Sequence, residues 1–123
     1  MKNGEIFAER RAHPRYKVNF PVKYCFVDDK NDIKNILELS KKDSIALTRD
    51  ISLGGMQITV EQPVNAGDIL AFEIPLPGGS QTLSACAEVI WTNGNIGGLH
   101  FLIIGEEDLT ALIAYLKKLG FRS

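Results

Sequence analysis

Two short clusters in this chain carry side chains suited to holding a polar, anionic ligand. The first is Arg10-Arg11-Ala12-His13-Pro14-Arg15 with Lys17 just beyond, four cations within eight residues and no acid among them. Guanidinium groups make bidentate, charge-assisted bonds to phosphate oxygens and match the O6/N7 edge of guanine equally well. They also stack on purine faces. The second cluster is Asp50-Ile51-Ser52-Leu53-Gly54-Gly55. Its carboxylate can accept hydrogen bonds from ring and exocyclic N–H donors, its hydroxyl can complete the set, and its glycines let the backbone turn sharply and approach a ligand. Taken singly, an R-x-x-x-R pair is an ordinary basic turn, and D-x-S-x-x-G is an ordinary bend with local side-chain bonds.

Other chemistries find less support. The only histidines are His13 and His100, and there is no G-x-S-x-G elbow, so Asp50 and Ser52 do not make a hydrolase, and the chain reads as a non-enzyme. His13 reads as a spacer between arginines, and His100 as a strand residue facing solvent or a polar niche. Asp28, Lys30 and Asp32 lack the glycine and closing glutamate of a calcium loop. Cys25 and Cys86 have no metal or redox spacing and read as two thiols in or near the core. No cofactor and no metal are expected. The formal net charge is -1, so no global field draws the protein to nucleic acid or to a membrane surface, and an anion site must be local. No run approaches the roughly 20 apolar residues that span a bilayer, and the N-terminus lacks a signal-like stretch. No membrane insertion is expected, and the expected location is the cytoplasm.

The elements that must position these clusters follow from periodicity. Residues 1–8 read as a flexible N-terminus and 9–120 as a single domain. Pro14 biases His13 away from helix, which puts the arginines on an extended or turning segment. Tyr16, Val18, Phe20, Val22, Tyr24 and Phe26 alternate with polar residues, the mark of a strand with one buried face. Pro21 within it implies an edge or a bulge. Asp28 to Ser44 is polar and leaves helix and hairpin both open. Further strands are expected over Ile45–Ile51, Met56–Val60, Ile69–Ile74, Leu83–Trp91 and Gly98–Ile104, with Thr92 to Asn95 as a tight turn. Trp91 reads as core or barrel-end packing. Leu109, Leu112, Ile113, Leu116 and Leu119 then recur at helical spacing, with acids at the start, Lys117 and Lys118 at the end and Gly120 as a stop.

With both clusters placed before the first strand and between two later strands of a mainly β chain, the sequence resembles the PilZ domain family. The resemblance runs from about Glu9 to Leu119. It includes the aromatic strand after the arginines, the late segment AEVIWTNGNIGGLHF and the terminal helix. It implies a six-stranded antiparallel β-barrel with a C-terminal α-helix, and cyclic di-GMP as the ligand. It implies phosphate and guanine contacts for Arg11 and Arg15, and guanine recognition by Asp50, Ser52 and Gly55. It also implies a place near the ligand for Gly98, with Arg10 available to a second, stacked ligand molecule. The implied function is a receptor whose arginine segment is mobile until ligand orders it, and which then signals to a protein partner. The alternative is an adaptor of the same fold in motility or pilus machinery that acts without nucleotide. A nucleic-acid-binding barrel would need a basic groove with exposed aromatics, whereas the aromatics here fall mainly on the buried alternation.

Overall fold

The computed structural model describes residues 13–27, 44–79 and 81–121. The expectations for residues 1–8, for Arg10 and Arg11, and for the polar stretch 28–43 lie outside the described residues. The strands are β1 (Tyr16–Lys17), β2 (Pro21–Phe26), β3 (Ser44–Ile51), β4 (Gly55–Val60), β5 (Ile69–Pro75), β6 (Thr82–Asn93) and β7 (Ile96–Ile104), followed by helix α1 (Glu106–Lys118). Neighbouring strands run in the order β3-β2-β5-β6-β7-β4, and β4 pairs back onto β3. Every pairing is antiparallel, so six strands close a barrel and β1 is an extra strand on β3. Closure removes the free edges that an open sheet would leave.

Side-chain alternation fills the interior. Val22 and Tyr24, Met56 and Ile58, Leu70, Phe72 and Ile74, and Leu83, Ala85, Ala87 and Val89 point inward and belong to one buried cluster. The run Ile69 to Phe72 is buried on both faces, because Ile69 and Ala71 join Val27 and Cys86 in a second cluster on the other side of the sheet. Cys25 packs against that cluster, and both cysteines are thiols. Helix α1 contributes Leu112 and Leu116 to the barrel's own cluster, with Tyr115 edge-on to Phe20 at 6.2 Å, so it closes an opening of the barrel. The apolar stripe is narrower than the spacing predicts, since Leu109 and Leu119 stay exposed. The helix ends where Phe121 N–H donates to the Leu116 carbonyl and Gly120 N–H to that of Lys117, with Gly120 at φ +117°. This is a glycine-dependent helix stop.

The first strand is not the single unit that its alternation predicts. It divides into β1 and β2, which both run along β3: Lys17 stands opposite Asp50, and Pro21 opposite Leu47. Between these pairs three residues, 18–20, stand against two, 48 and 49, so the segment is bulged, as Pro21 implies. Thr48 stabilises the irregularity. Its buried hydroxyl accepts from Phe20 N–H at 2.9 Å and donates to the Phe20 carbonyl at 2.8 Å. At the far end of β2 the inward phase is lost: Phe26 is 41% exposed while Val27 is buried.

Two checks follow from this packing. A Cβ on Gly55 would lie 1.9 Å from the Leu99 carbonyl oxygen, because β4 and β7 approach closely there, whereas one on Gly54 meets nothing nearer than 3.6 Å. Gly55→Ala should therefore lose about 2–3 kcal/mol of stability to overpacking. Gly54→Ala should stay within about 0.5 kcal/mol in the same urea titration. Burial raises the Tyr24 phenol above its ordinary value of 10.0, the Ser44 hydroxyl lowering it part of the way back and Glu61 raising it further, and burial also raises Tyr115. The folded state thus holds these protons more tightly than the unfolded chain, and that stability is present below pH 10.0 and lost as pH rises through the folded values. Unfolding free energy should fall steeply above pH 10, and less steeply in Tyr24→Phe.

Candidate ligand-binding cleft

Two β-bulges shape one side of the barrel. On β3 the pairing with β4 slips between Thr48 and Asp50, so Thr48 faces Ile58 while Asp50 faces Gln57. Inward residues are Ala46 and Thr48, then Ile51, which leaves Arg49 and Asp50 both facing outward. On β6 the pairing with β7 slips between Val89 and Trp91, so Val89 faces Leu99 while Trp91 faces Gly98. Ile90 and Trp91 are consequently exposed in succession, against the alternation of the strand. A bulge re-aims side chains in this way.

The β3 bulge brings the two sequence clusters together. Asp50 Oδ1 accepts a hydrogen bond from Gln57 N–H at 3.1 Å, and the Arg15 guanidinium donates to the same oxygen at 3.1 Å. Pairing of β1 with β3 delivers Arg15 to this place, since Tyr16 lies opposite Ile51 and Lys17 opposite Asp50. Asp50 is 15% exposed and Arg15 51%, so water still reaches the pair. Ion pairs of this kind contribute only about 0.2–1 kcal/mol.

Beside the pair lies a cleft of about 630 Å³ lined by Arg15 and His13 on one side, Ser52, Gly54 and Gly55 at the bend, and Ile90, Trp91, Gly98, Leu99 and His100 on the β6–β7 wall. That volume is in the ordinary range for small-molecule sites. The cleft therefore joins Arg15, Ser52, Gly55 and Gly98. Asp50 stands at its edge through the ion pair, while its own surface faces a neighbouring groove of about 390 Å³ with Lys17, Asn19, Arg49, Gln57 and Thr59. Arg10 and Arg11 lie outside the described residues.

The individual roles differ from a simple set of ligand contacts. The Ser52 hydroxyl accepts from Gly54 N–H at 3.1 Å and lies 3.4 Å from the Gly55 carbonyl, to which it donates. With Ser52 N–H donating to that same carbonyl at 2.9 Å, the serine shapes the bend from within. Gly55 lacks a side chain because Leu99 leaves no room for one. Gly98 lacks one because the Trp91 indole lies across it, where a Cβ would stand 2.2 Å from Nε1. Trp91, expected as core or barrel-end packing, is not in the core: it is 40% exposed on the cleft wall. Strand alternation could not reveal this, because the bulge breaks the alternation. His13 and His100 also line the cleft, although the sequence marks neither as a site residue. Among the described residues, no group of three or more His, Cys, Asp or Glu side chains is placed to hold a metal, and no helix is long and apolar enough to cross a membrane.

Comparison with known proteins agrees with this architecture. A search of curated proteins returns no match. Among solved structures, the PilZ domain of CeSA from a cellulose-synthesizing bacterium is similar with a TM-score of 0.60 at 16% identity, over 88% of this chain and 99% of that one. The Bacillus subtilis inhibitor of motility MotI/DgrA is similar with a TM-score of 0.60 at 20% identity, over 90% of this chain and 52% of that one. The PilZ domain of YcgR from Escherichia coli, solved with c-di-GMP, is similar with a TM-score of 0.59 at 19% identity, over 89% of this chain and 91% of that one. At these identities the likeness concerns the fold. The PilZ domain family model matches residues 9–118, nearly the whole sequence, and the chain belongs to the PilZ domain family.

Proposed function

We propose that this protein is a receptor for cyclic di-GMP, acting by binding and not by catalysis. The observation that carries the reading is the meeting of Arg15 and Asp50 at 3.1 Å on the edge of a cleft of nucleotide size. Membership in the PilZ domain family supports it, as does the likeness to a domain solved with c-di-GMP.

The chemistry of the cleft suits the two faces of such a ligand. Arg15, joined by Arg11 and Arg10 from the preceding segment, supplies guanidinium groups for phosphates and for the guanine O6/N7 edge. Asp50 accepts from the opposite guanine edge, whose N1–H and amine are donors. Trp91, seated on Gly98, offers a flat apolar surface for a base. Ser52 and Gly55 set the shape of the bend that the ligand meets. The Arg15–Asp50 pair is weak, so each partner can exchange the other for a stronger ligand bond at small cost. Ligand bridging the arginines to the bend changes the conformation of the arginine segment. The altered surface then engages a protein partner, with motility a reasonable setting given the inhibitor of motility among similar structures.

Calorimetry with cyclic di-GMP tests the assignment. Arg15→Ala should weaken binding by about 1.5–3 kcal/mol, roughly 10- to 150-fold. Equal affinity in the wild type and the variant contradicts the reading. Trp91 is the only tryptophan, so its fluorescence should change on binding. Trp91→Ala should weaken binding by about 1–3 kcal/mol if a base stacks there.

A further inference from the structure

We infer that this cleft takes up protons together with its ligand, and that His13 and His100 are the groups that take them. The inference rests on the proposal that an anionic nucleotide occupies the cleft. Its basis is a coincidence of placement: the chain has two histidines, 87 positions apart in sequence, and both line the same cleft as Arg15. His13 belongs to the segment before β1, and its ring lies over the bend, with Cδ2 3.6 Å from where a Gly54 side chain would begin. His100 comes from β7, where it pairs with Gly55 of β4 and with Glu88 of β6. Two imidazoles from distant segments therefore line one cleft, at the neighbouring glycines of the bend.

The charges near the two histidines are few, and the direction of the effect comes from the ligand's negative charge. On the His13 side the near cation is Arg15, which Asp50 partly neutralises. On the His100 side β4 contributes no charge, because the partner there is Gly55, and β6 contributes Glu88 on the same face of the sheet. No carboxylate lines the cleft itself. Histidine is the side chain whose charge ordinarily changes between about pH 5 and 8. A ligand with two phosphate charges favours the imidazolium form, as any nearby opposite charge does. The bound state then carries more protons than the free state, so affinity rises as pH falls through the histidine range. Each imidazolium also adds a charged donor for phosphate oxygen. His13 and His100 thereby become specificity residues for an anion, and the acidity of the surroundings becomes an input to the receptor.

Calorimetry of the full chain with cyclic di-GMP at about pH 6 and about pH 8, at constant ionic strength and in two buffers of different ionisation enthalpy, tests this. The wild type should bind about three- to tenfold more tightly at the lower pH, with a buffer-dependent heat that shows net proton uptake. His13→Gln and His100→Gln should each reduce that dependence, and the double variant should bind with an affinity that does not vary with pH. Tight binding by the wild type with equal affinity at both pH values overturns the inference and leaves the receptor assignment standing. A double variant that keeps the full pH dependence also overturns it. No binding at either pH overturns the receptor assignment, and this inference with it.

Discussion

A single carboxylate oxygen links the two parts of this molecule that matter most. Asp50 Oδ1 accepts from the backbone of β4 at Gln57 and from the Arg15 guanidinium, a residue 35 positions earlier. The first bond holds the carboxylate to the barrel across the β3 bulge. The second holds the chain before β1 against the cleft. Strand pairing of β1 with β3 brings Arg15 to this oxygen, and the shared acceptor then ties the guanidinium to the barrel's own hydrogen bonding. The ion pair alone is weak and exposed, which suits a contact that a ligand must be able to replace.

The barrel's contribution is to make irregularity dependable. Closure through the β3–β4 pairing and the apolar interior fix the strands in register. Against that regular frame, the slips at Thr48/Asp50 and Val89/Trp91 each turn a side chain outward that strict alternation would have sent elsewhere. The β6 slip opens onto the cleft and the β3 slip onto the neighbouring groove, with Asp50 joined to the cleft through Arg15. Gly55 and Gly98 both serve packing: one admits the Leu99 carbonyl, and the other seats an indole. Residues that read as ligand contacts in the sequence are thus partly the means by which neighbouring groups are held. Ser52 shows the same economy, since its hydroxyl is occupied inside the bend that it shapes.

Much of this was legible beforehand. The strands after Ile45 fell close to their expected bounds, and the β6–β7 hairpin only proved longer, with Asn93 pairing directly to Ile96. The helix and its stop were readable from acids, leucine spacing and Gly120. The order of an arginine cluster and an Asp-Ser-Gly bend was enough to suggest the family. Less legible was the division of the first strand, because alternation counts residues and cannot see an extra one opposite a partner. The exposure of Trp91 is hidden from alternation for the same reason. Neither histidine sits in a sequence pattern that marks a site.

Residue type and period are local properties, so the order of amino acids alone specifies which side chains are available for anion recognition and which faces of the strands and helix are apolar. That Arg15, the bend after Asp50, Trp91 and both histidines share one cleft emerges from the folded arrangement. Their convergence depends on strand order and on two one-residue slips in pairing. Those are relations between distant segments, and no local pattern encodes them.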